Sequence, residues 1–306
     1  MAERRLMDGG GTLGGVGALT PLAAELGDLK RIRDASSPDS LAVRAFRRAW
    51  GRLAAGEDAR AVALSTTADA LAAARLAGID RGVLAAAGVA DPLAILQRSF
   101  DEVAGPVAPA LRSALREHLG RDMAASPAPA FAEALIRQPR AGATCPGKPR
   151  LVLEPPENHG DHCLVVAVLG TVLAGLYGAD PSTAFVAGMA HHLHNAMLPD
   201  SGFAGEILLG DELGPLMRRL FDRELATLAG PVEITVRAAL VTIGDAETPE
   251  GRAFNAADVM DRVLQMRQYD RVAGFTTSQA LDDLELVHAG PLQAFHQVVL
   301  AEAGLP

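Results

Sequence analysis

Aromatic residues make up only 4% of this 306-residue chain. That is too few to fill extended sheet faces, whereas alanine and leucine, both strong helix formers, are abundant. The expectation is an all-α fold. Cysteine is almost missing: Cys145 and Cys163 cannot build a disulfide framework, and neither belongs to a Cys-x-x-Cys pair. Cationic excess is missing too. With 28 Lys and Arg against 37 Asp and Glu, the net charge is −9, which excludes a field for non-specific nucleic-acid binding but leaves room for a local basic patch. Uncharged runs are short. The most membrane-like one, 163–179, has seventeen residues, the lower limit for spanning a bilayer, and follows directly on His159, Asp161 and His162. A buried core helix is the better expectation there, with no membrane partner. The first residues join arginines to apolar side chains, but glycines and acids interrupt any signal-peptide core. A cytoplasmic location without export is expected.

What is present is folded protein: 49% hydrophobic and 21% charged residues exclude intrinsic disorder. The length allows one large domain or two smaller ones. Residues 1–18 read as a flexible glycine-rich arm, because GGGTLGG lacks the preceding strand that a phosphate loop needs. Residues 19–136 read as an N-terminal helical bundle. Ser37-Pro-Asp opens a helix with Leu41, Val43, Phe46, Trp50 and Leu53 near one face, and further helices are expected at about 58–77, 92–104, 107–120 and 127–136. Between Arg137 and Glu157 five prolines interrupt the period, marking a domain boundary. That stretch also concentrates Arg137, Arg140, Lys148 and Arg150, either a solvated linker or an anion-binding lip. Beyond it, helices are expected at roughly 158–177, 181–195, 211–229, 231–243, 250–269 and 278–303.

Five of the eight histidines, His159, His162, His191, His192 and His194, fall within 36 positions. Imidazoles are poor core fillers, yet two sets of them stand at the ends of apolar helices. They converge on a cation or form a satisfied polar network. His118, His288 and His296 are scattered and read as structural. A carboxylate for a metal site is offered by FNAADVMDRVLQMRQYD, where Asp258 follows two alanines in an apolar setting. A buried Asp costs several kcal/mol unless paired or coordinated, so a salt bridge is the competing role. Asp261 is expected at the surface or behind the ligands.

These residues resemble the HD-domain phosphohydrolases, most closely the small 5′-deoxynucleotidase branch. PPENHGDH matches a Pro-Glu-x-x-x-acid-His pattern through Pro156, Glu157, Asp161 and His162. AHHLHNAMLPD matches the family's second motif at His191 and Asp200. ADVMDRVLQMRQY matches the third through Asp258, Gln265 and Tyr269, and RQPRAG resembles an upstream Arg-x-Pro-Arg-x-Gly. The likeness covers about 137–271, the core of an HD-like metal-binding helical domain spanning 137–306. It implies His162, His191 and Asp258 as metal ligands and Asp200 acting on the attacking water or the leaving group.

Two positions depart from the pattern: His192 stands where the family has Asp, and Asn195 where it has the catalytic Glu. His192 can still ligate, giving one divalent ion (Zn, Fe, Co or Mn) a three-His, one-Asp set, but it cannot bridge two metals. Asn195 can orient a water or substrate but cannot take a proton, which shifts base duty to Asp200 or His194. His159 would complete the shell or meet substrate. The leading expectation is a metal-dependent hydrolase of a small phosphorylated metabolite, with Arg140 and Arg150 holding the phosphate. A non-hydrolytic metal enzyme on the same scaffold, such as an iron oxygenase, lyase or isomerase, and a catalytically degenerate ligand-binding or scaffolding module are the alternatives. A homodimer stays open.

Overall fold

A computed structural model describes residues 15–121, 126–270 and 276–306. Most of the glycine-rich arm therefore lies outside the described residues. Its last part is helical, since α1 (Val16–Asp28) begins inside the expected arm. Among the described residues there are fourteen α-helices and no strand, as the composition implied. The others are α2 (Leu41–Ala54), α3 (Ala59–Leu76), α4 (Arg81–Ala86), α5 (Pro92–Val103), α6 (Pro109–His118), α7 (Ala130–Arg137), α8 (His159–Tyr177), α9 (Pro181–Ala190), α10 (Gly202–Leu209), α11 (Leu213–Leu225), α12 (Gly230–Thr242), α13 (Pro249–Asp270) and α14 (Gln293–Glu302).

The axis of the fold is α8. Asn158 caps it by accepting the Asp161 amide at 2.9 Å, and Gly178, in the left-handed conformation, ends it. Residues 159–174 are all buried, so the stretch that is apolar enough to cross a bilayer serves as a core helix. α9 and α13 pack against it. Small residues set the α8–α9 spacing: a Cβ on Gly188 would stand 2.5 Å from the Ala167 Cα, and one on Gly170 would stand 3.2 Å from the Ala184 carbonyl oxygen. The two helices approach closely, which carries the histidines at the end of α9 to those at the start of α8.

One buried apolar cluster takes residues from both sides of the expected boundary at 136/137, among them Phe46, Trp50 and Phe131 with Leu164, Phe185 and Val259. Trp50 meets Phe131 edge-on at 4.8 Å between centroids. Several boundaries differ from expectation. α2 is capped by Ser40, whose hydroxyl accepts the Val43 amide, rather than by Ser37. The helix expected over 181–195 stops at Ala190, and a tight 3-10 turn, Leu193–Ala196, follows, closed by the Asn195 amide on the His192 carbonyl at 2.8 Å. The helix expected over 278–303 is broken. A π-helical turn at Gln279–Asp283 and α14 are separated by Gly290 and Pro291, residues that end rather than continue a helix. α10 and the short α4 were not anticipated.

The proline-rich stretch after α7 is tied down at several points. Ala143 and Leu151 exchange backbone hydrogen bonds, the Arg140 amide donates to the Glu157 carbonyl at 2.8 Å, and the His159 amide to the Gln138 carbonyl at 3.2 Å. It folds back over the start of α8 and places Arg140 at the histidines.

Candidate metal centre

His162 projects from the first turn of α8, His191 terminates α9, and Asp258 comes from the middle of α13. Their donor atoms converge. His162 Nε2 lies 3.1 Å from His191 Nε2 and 3.3 Å from Asp258 Oδ1, and His191 Nε2 lies 4.0 Å from the same oxygen. Bonds of about 2.1 Å to one ion put neighbouring donors roughly 3.0–3.4 Å apart for octahedral to tetrahedral angles. Two of the three edges have that length and the third is more open.

The ring protons are fixed by acceptors that can only accept. His191 Nδ1 is 2.8 Å from the Gly188 carbonyl oxygen and His159 Nδ1 is 2.9 Å from the Gln138 carbonyl oxygen, so each of these nitrogens donates. His162 Nδ1 donates to the Asp261 carboxylate at 2.7 Å. The Asn195 Nδ2 donates to the Leu198 carbonyl at 3.0 Å, which turns its Oδ1 to His192 Nδ1 at 2.9 Å, so that nitrogen donates as well. All four rings therefore spend Nδ1–H on an orienting partner and turn Nε2 inward. This is how imidazole ligands are held around a metal. His162, His191 and His192 have donor atoms within 4.8 Å of one another. Between His162 Nε2, His191 Nε2 and Asp258 Oδ1 the protein supplies three acceptors. A single proton or a metal ion can bridge such a set, and Arg262 Nη1 stands 3.5 Å from the other Asp258 oxygen.

Burial keeps protons off His191 and His192. Burial lowers the His191 pKa to about 3, with the His162 ring adding to it. Burial, followed by the neighbouring His191 and Arg140, holds His192 well below its ordinary value. Burial alone would raise Asp258, but the His162 ring and Arg262 outweigh it and hold the carboxyl well below its usual range.

Asp261 is not at the surface: it is 2% exposed and anchors His162 from behind. It is anchored in turn by Lys30, in the loop after α1. Lys30 Nζ lies 2.6 and 2.8 Å from the two Asp261 oxygens and 2.5 Å from Glu157 Oε1. Lys30 is 4% exposed. Burial pulls its pKa down, but Asp261 and Glu157 more than offset that, and it stands above its ordinary value.

The remaining predicted residues are distributed around this centre. Arg140 Nη1 donates to His192 Nε2 at 2.8 Å, so the fourth donor faces a guanidinium. Arg150 lies further out, its Nη1 and Nη2 donating to the carbonyls of Ala141 and Ser201 at 3.1 and 3.2 Å, and braces the loops. Asp200 accepts the amides of Ala141 and Gly202 at 2.9 Å each. Burial would raise its pKa, but Arg140 and these amides lower it. Its Oδ2 lies 3.6 Å from His159 Nε2, a buried atom with no hydrogen-bond partner. Burial and the Arg140 charge bring His159 to about 3. Two acceptors thus face each other and await a donor such as water. Asn195 orients His192, and His194 packs its ring against Phe221 at 5.1 Å with Nδ1 unpartnered. Gln265 accepts from Arg31 at 2.9 Å and Tyr269 donates to the Pro155 carbonyl, so both serve to tie elements together.

Two participants escaped the sequence reading. Lys30 sits in DLKRIRD, which reads as a solvated turn and carries no local sign of burial. Arg262, whose Nη1 is 3.5 Å from Asp258 Oδ2, was legible as the i+4 neighbour of Asp258. Comparison with protein-family models, curated proteins and solved structures finds no match to this chain.

Proposed function

We propose that this protein is a mononuclear, divalent-metal-dependent hydrolase of a small phosphorylated metabolite. The observation that carries the reading is the set of inward-facing Nε2 atoms, each ring held by its Nδ1–H, beside the Asp258 carboxylate. His162, His191 and Asp258 hold the ion, and His192 joins them when Arg140 turns from it to an anionic substrate. A divalent ion in such a site acts as a Lewis acid and lowers the pKa of a coordinated water.

The chain's own residues supply the rest. Arg140 and Arg262 place two guanidiniums beside the donors, suited to the charge of a phosphoryl group. His159 Nε2 and Asp200 Oδ2 accept from the attacking water and orient it. Because both are weakly basic, they position that water more than they deprotonate it. The same weakness favours a second reading, a metal-bearing module that binds an anionic ligand without turning it over.

The test begins with protein purified without chelator. About one divalent ion per chain is expected, lost in His162→Ala, His191→Ala and Asp258→Ala variants, with hydrolysis of a simple phosphomonoester that disappears in the same three. Arg140→Ala should keep the metal and weaken the phosphoester about ten- to a hundredfold, the value of a charged hydrogen bond of about 1.5–3 kcal/mol. Unchanged metal content in all three ligand variants rejects the site. Stoichiometric metal with tight phosphoester binding but no turnover selects the binding module.

A further inference from the structure

Away from the histidines, α2 carries Arg44, Arg48 and Arg52 at intervals of four, which places them on one face of the helix. That face lines a cavity of about 270 Å³ that also receives Arg81 and Arg121, and whose only carboxylates among the described residues are Asp69 and Asp80. The row runs inward from the surface: Arg48 is exposed, the Arg44 side chain is 22% exposed, and Arg52 is 5% exposed. Four of the arginines are partly engaged. Arg44 pairs with Asp34 at 2.6 Å, Arg52 reaches Glu57 at 2.9 Å and Ser65 at 2.8 Å, Arg81 donates to the Gly120 carbonyl at 2.9 Å, and Arg121 to the Glu117 carbonyl at 3.3 Å. Arg48 makes no hydrogen bond or ion pair within the described residues. Its charge acts on Asp69.

The lining also includes apolar side chains: Leu29, Ala45, Ala73, Ile79, Leu96 and Leu164. With Arg81 set aside, the other four arginines still outnumber the lining carboxylates Asp69 and Asp80 among the described residues. A concave site with apolar walls and a few convergent charged groups is the usual form of a small-molecule pocket.

We propose that this cavity is a second ligand site, separate from the metal centre, for a small organic anion with one anionic head on an apolar body. The head is held by Arg48 with the neighbouring guanidiniums, and the body rests against the leucine and alanine wall. Asp69 is the group that limits affinity. It accepts the Gly120 amide at 2.9 Å and would stand near the head. Burial raises its pKa to about 6, so it is largely ionised at neutral pH and repels an anion. An Asn there keeps the Gly120 hydrogen bond and removes the charge.

The test is calorimetric titration at low salt with inorganic phosphate, phenyl phosphate and benzoate into wild type, Arg48→Ala, Asp69→Asn and Arg140→Ala. Arg48 has no structural partner and Asn preserves the only hydrogen bond of Asp69, so both variants are expected to fold. Phenyl phosphate or benzoate should bind more tightly than inorganic phosphate. Arg48→Ala should weaken that binding about tenfold, the value of one charged hydrogen bond, Asp69→Asn should strengthen it, and Arg140→Ala, which weakens a phosphoester at the histidine centre, should leave benzoate binding unchanged. Whichever probe binds identifies the head group. Absence of binding at millimolar concentration, affinities within twofold of wild type for both cavity variants, or loss of benzoate binding in Arg140→Ala would each overturn the proposal, the last by returning the anion to the histidine centre.

Discussion

Replacing Lys30 by Met tests how the metal centre is supported. The lysine nitrogen stands 2.5–2.8 Å from three carboxylate oxygens, and the side chains of Lys30, Glu157 and Asp261 are only 3%, 7% and 3% exposed. Removing one partner of a buried charge set leaves the others uncompensated, which costs about 3–5 kcal/mol. At about 2 °C per kcal/mol for a chain of this size, the melting temperature should fall by roughly 6–10 °C. The loss should depend on pH in a defined direction. Asp261 is held below the ordinary carboxylate range, burial opposing and Lys30 and His162 prevailing. Its contribution is therefore present above the unfolded carboxyl pKa and lost as pH falls through the folded one. The Lys30 contribution is present below the ordinary lysine pKa and lost only as pH rises past its raised value. The gap between wild type and Lys30→Met should thus be widest at neutral pH and close on acidification, as Asp261 takes up a proton. Metal affinity should fall with stability, by about ten- to a hundredfold, because Asp261 orients His162. Thermal melts with and without chelator from pH 4 to 8 measure both effects. Adding Glu157→Gln and Asp261→Asn to Lys30→Met should recover part of the stability by removing the stranded charges. A change within about 0.5 kcal/mol for the single variant, the range of an ordinary surface substitution, would refute the buried-triad argument.

Two further outcomes follow from the geometry. Asn195→Ala leaves the His192 Nδ1–H and the Leu198 carbonyl without their partner, so the chelated protein should lose about 1–3 kcal/mol of stability and metal affinity measured against a chromophoric chelator should drop about ten- to a hundredfold. Gly188→Ala drives a methyl to within 2.5 Å of the Ala167 Cα and should cost about 1–3 kcal/mol by overpacking, with weaker metal binding as His191 moves from His162; a melt and a titration matching wild type would remove the α8–α9 contact as the device that sets the donor spacing.

The all-α class was legible from composition, since so few aromatic residues accompany so much alanine and leucine. The convergence of His162, His191 and Asp258 was legible for a different reason: each interrupts an apolar helix that has no other use for it. The sequence allows Asp261 either the surface or a place behind the ligands, and the second is what the fold has; the sequence could not choose because α13 is buried nearly all around. Val259, Met260 and Val263 flank it and are themselves inaccessible, so periodicity offered no solvent face against which to judge it. The break between 278 and 303 was written locally in Gly290-Pro291, but apolar residues on both sides masked it. The end of α9 had no such mark, because no glycine or proline falls between Ala190 and Leu198. It is set instead by hydrogen bonds of the Asn195 backbone and side chain, which composition does not display.

Lys30 belongs to a third kind, a residue whose role exists only in the assembled fold, and it changes how the N-terminal helices relate to the metal centre. The loop after α1 delivers Lys30 to Asp261 and Glu157, and Arg31 to Gln265. Ser40, the cap of α2, donates to Asp161 in the first turn of α8, one residue before His162. Burial raises the Asp161 pKa to about 6, the Ser40 hydrogen bond opposing the rise. α8 therefore begins in a polar network of which the N-terminal segment is a working part. Residues 137–306 alone would leave Glu157 and Asp261 without Lys30 and Asp161 without Ser40, and the carboxylate that aims His162 would lose its lysine anchor. The proposed ligand set therefore draws its support from both sides of residue 137.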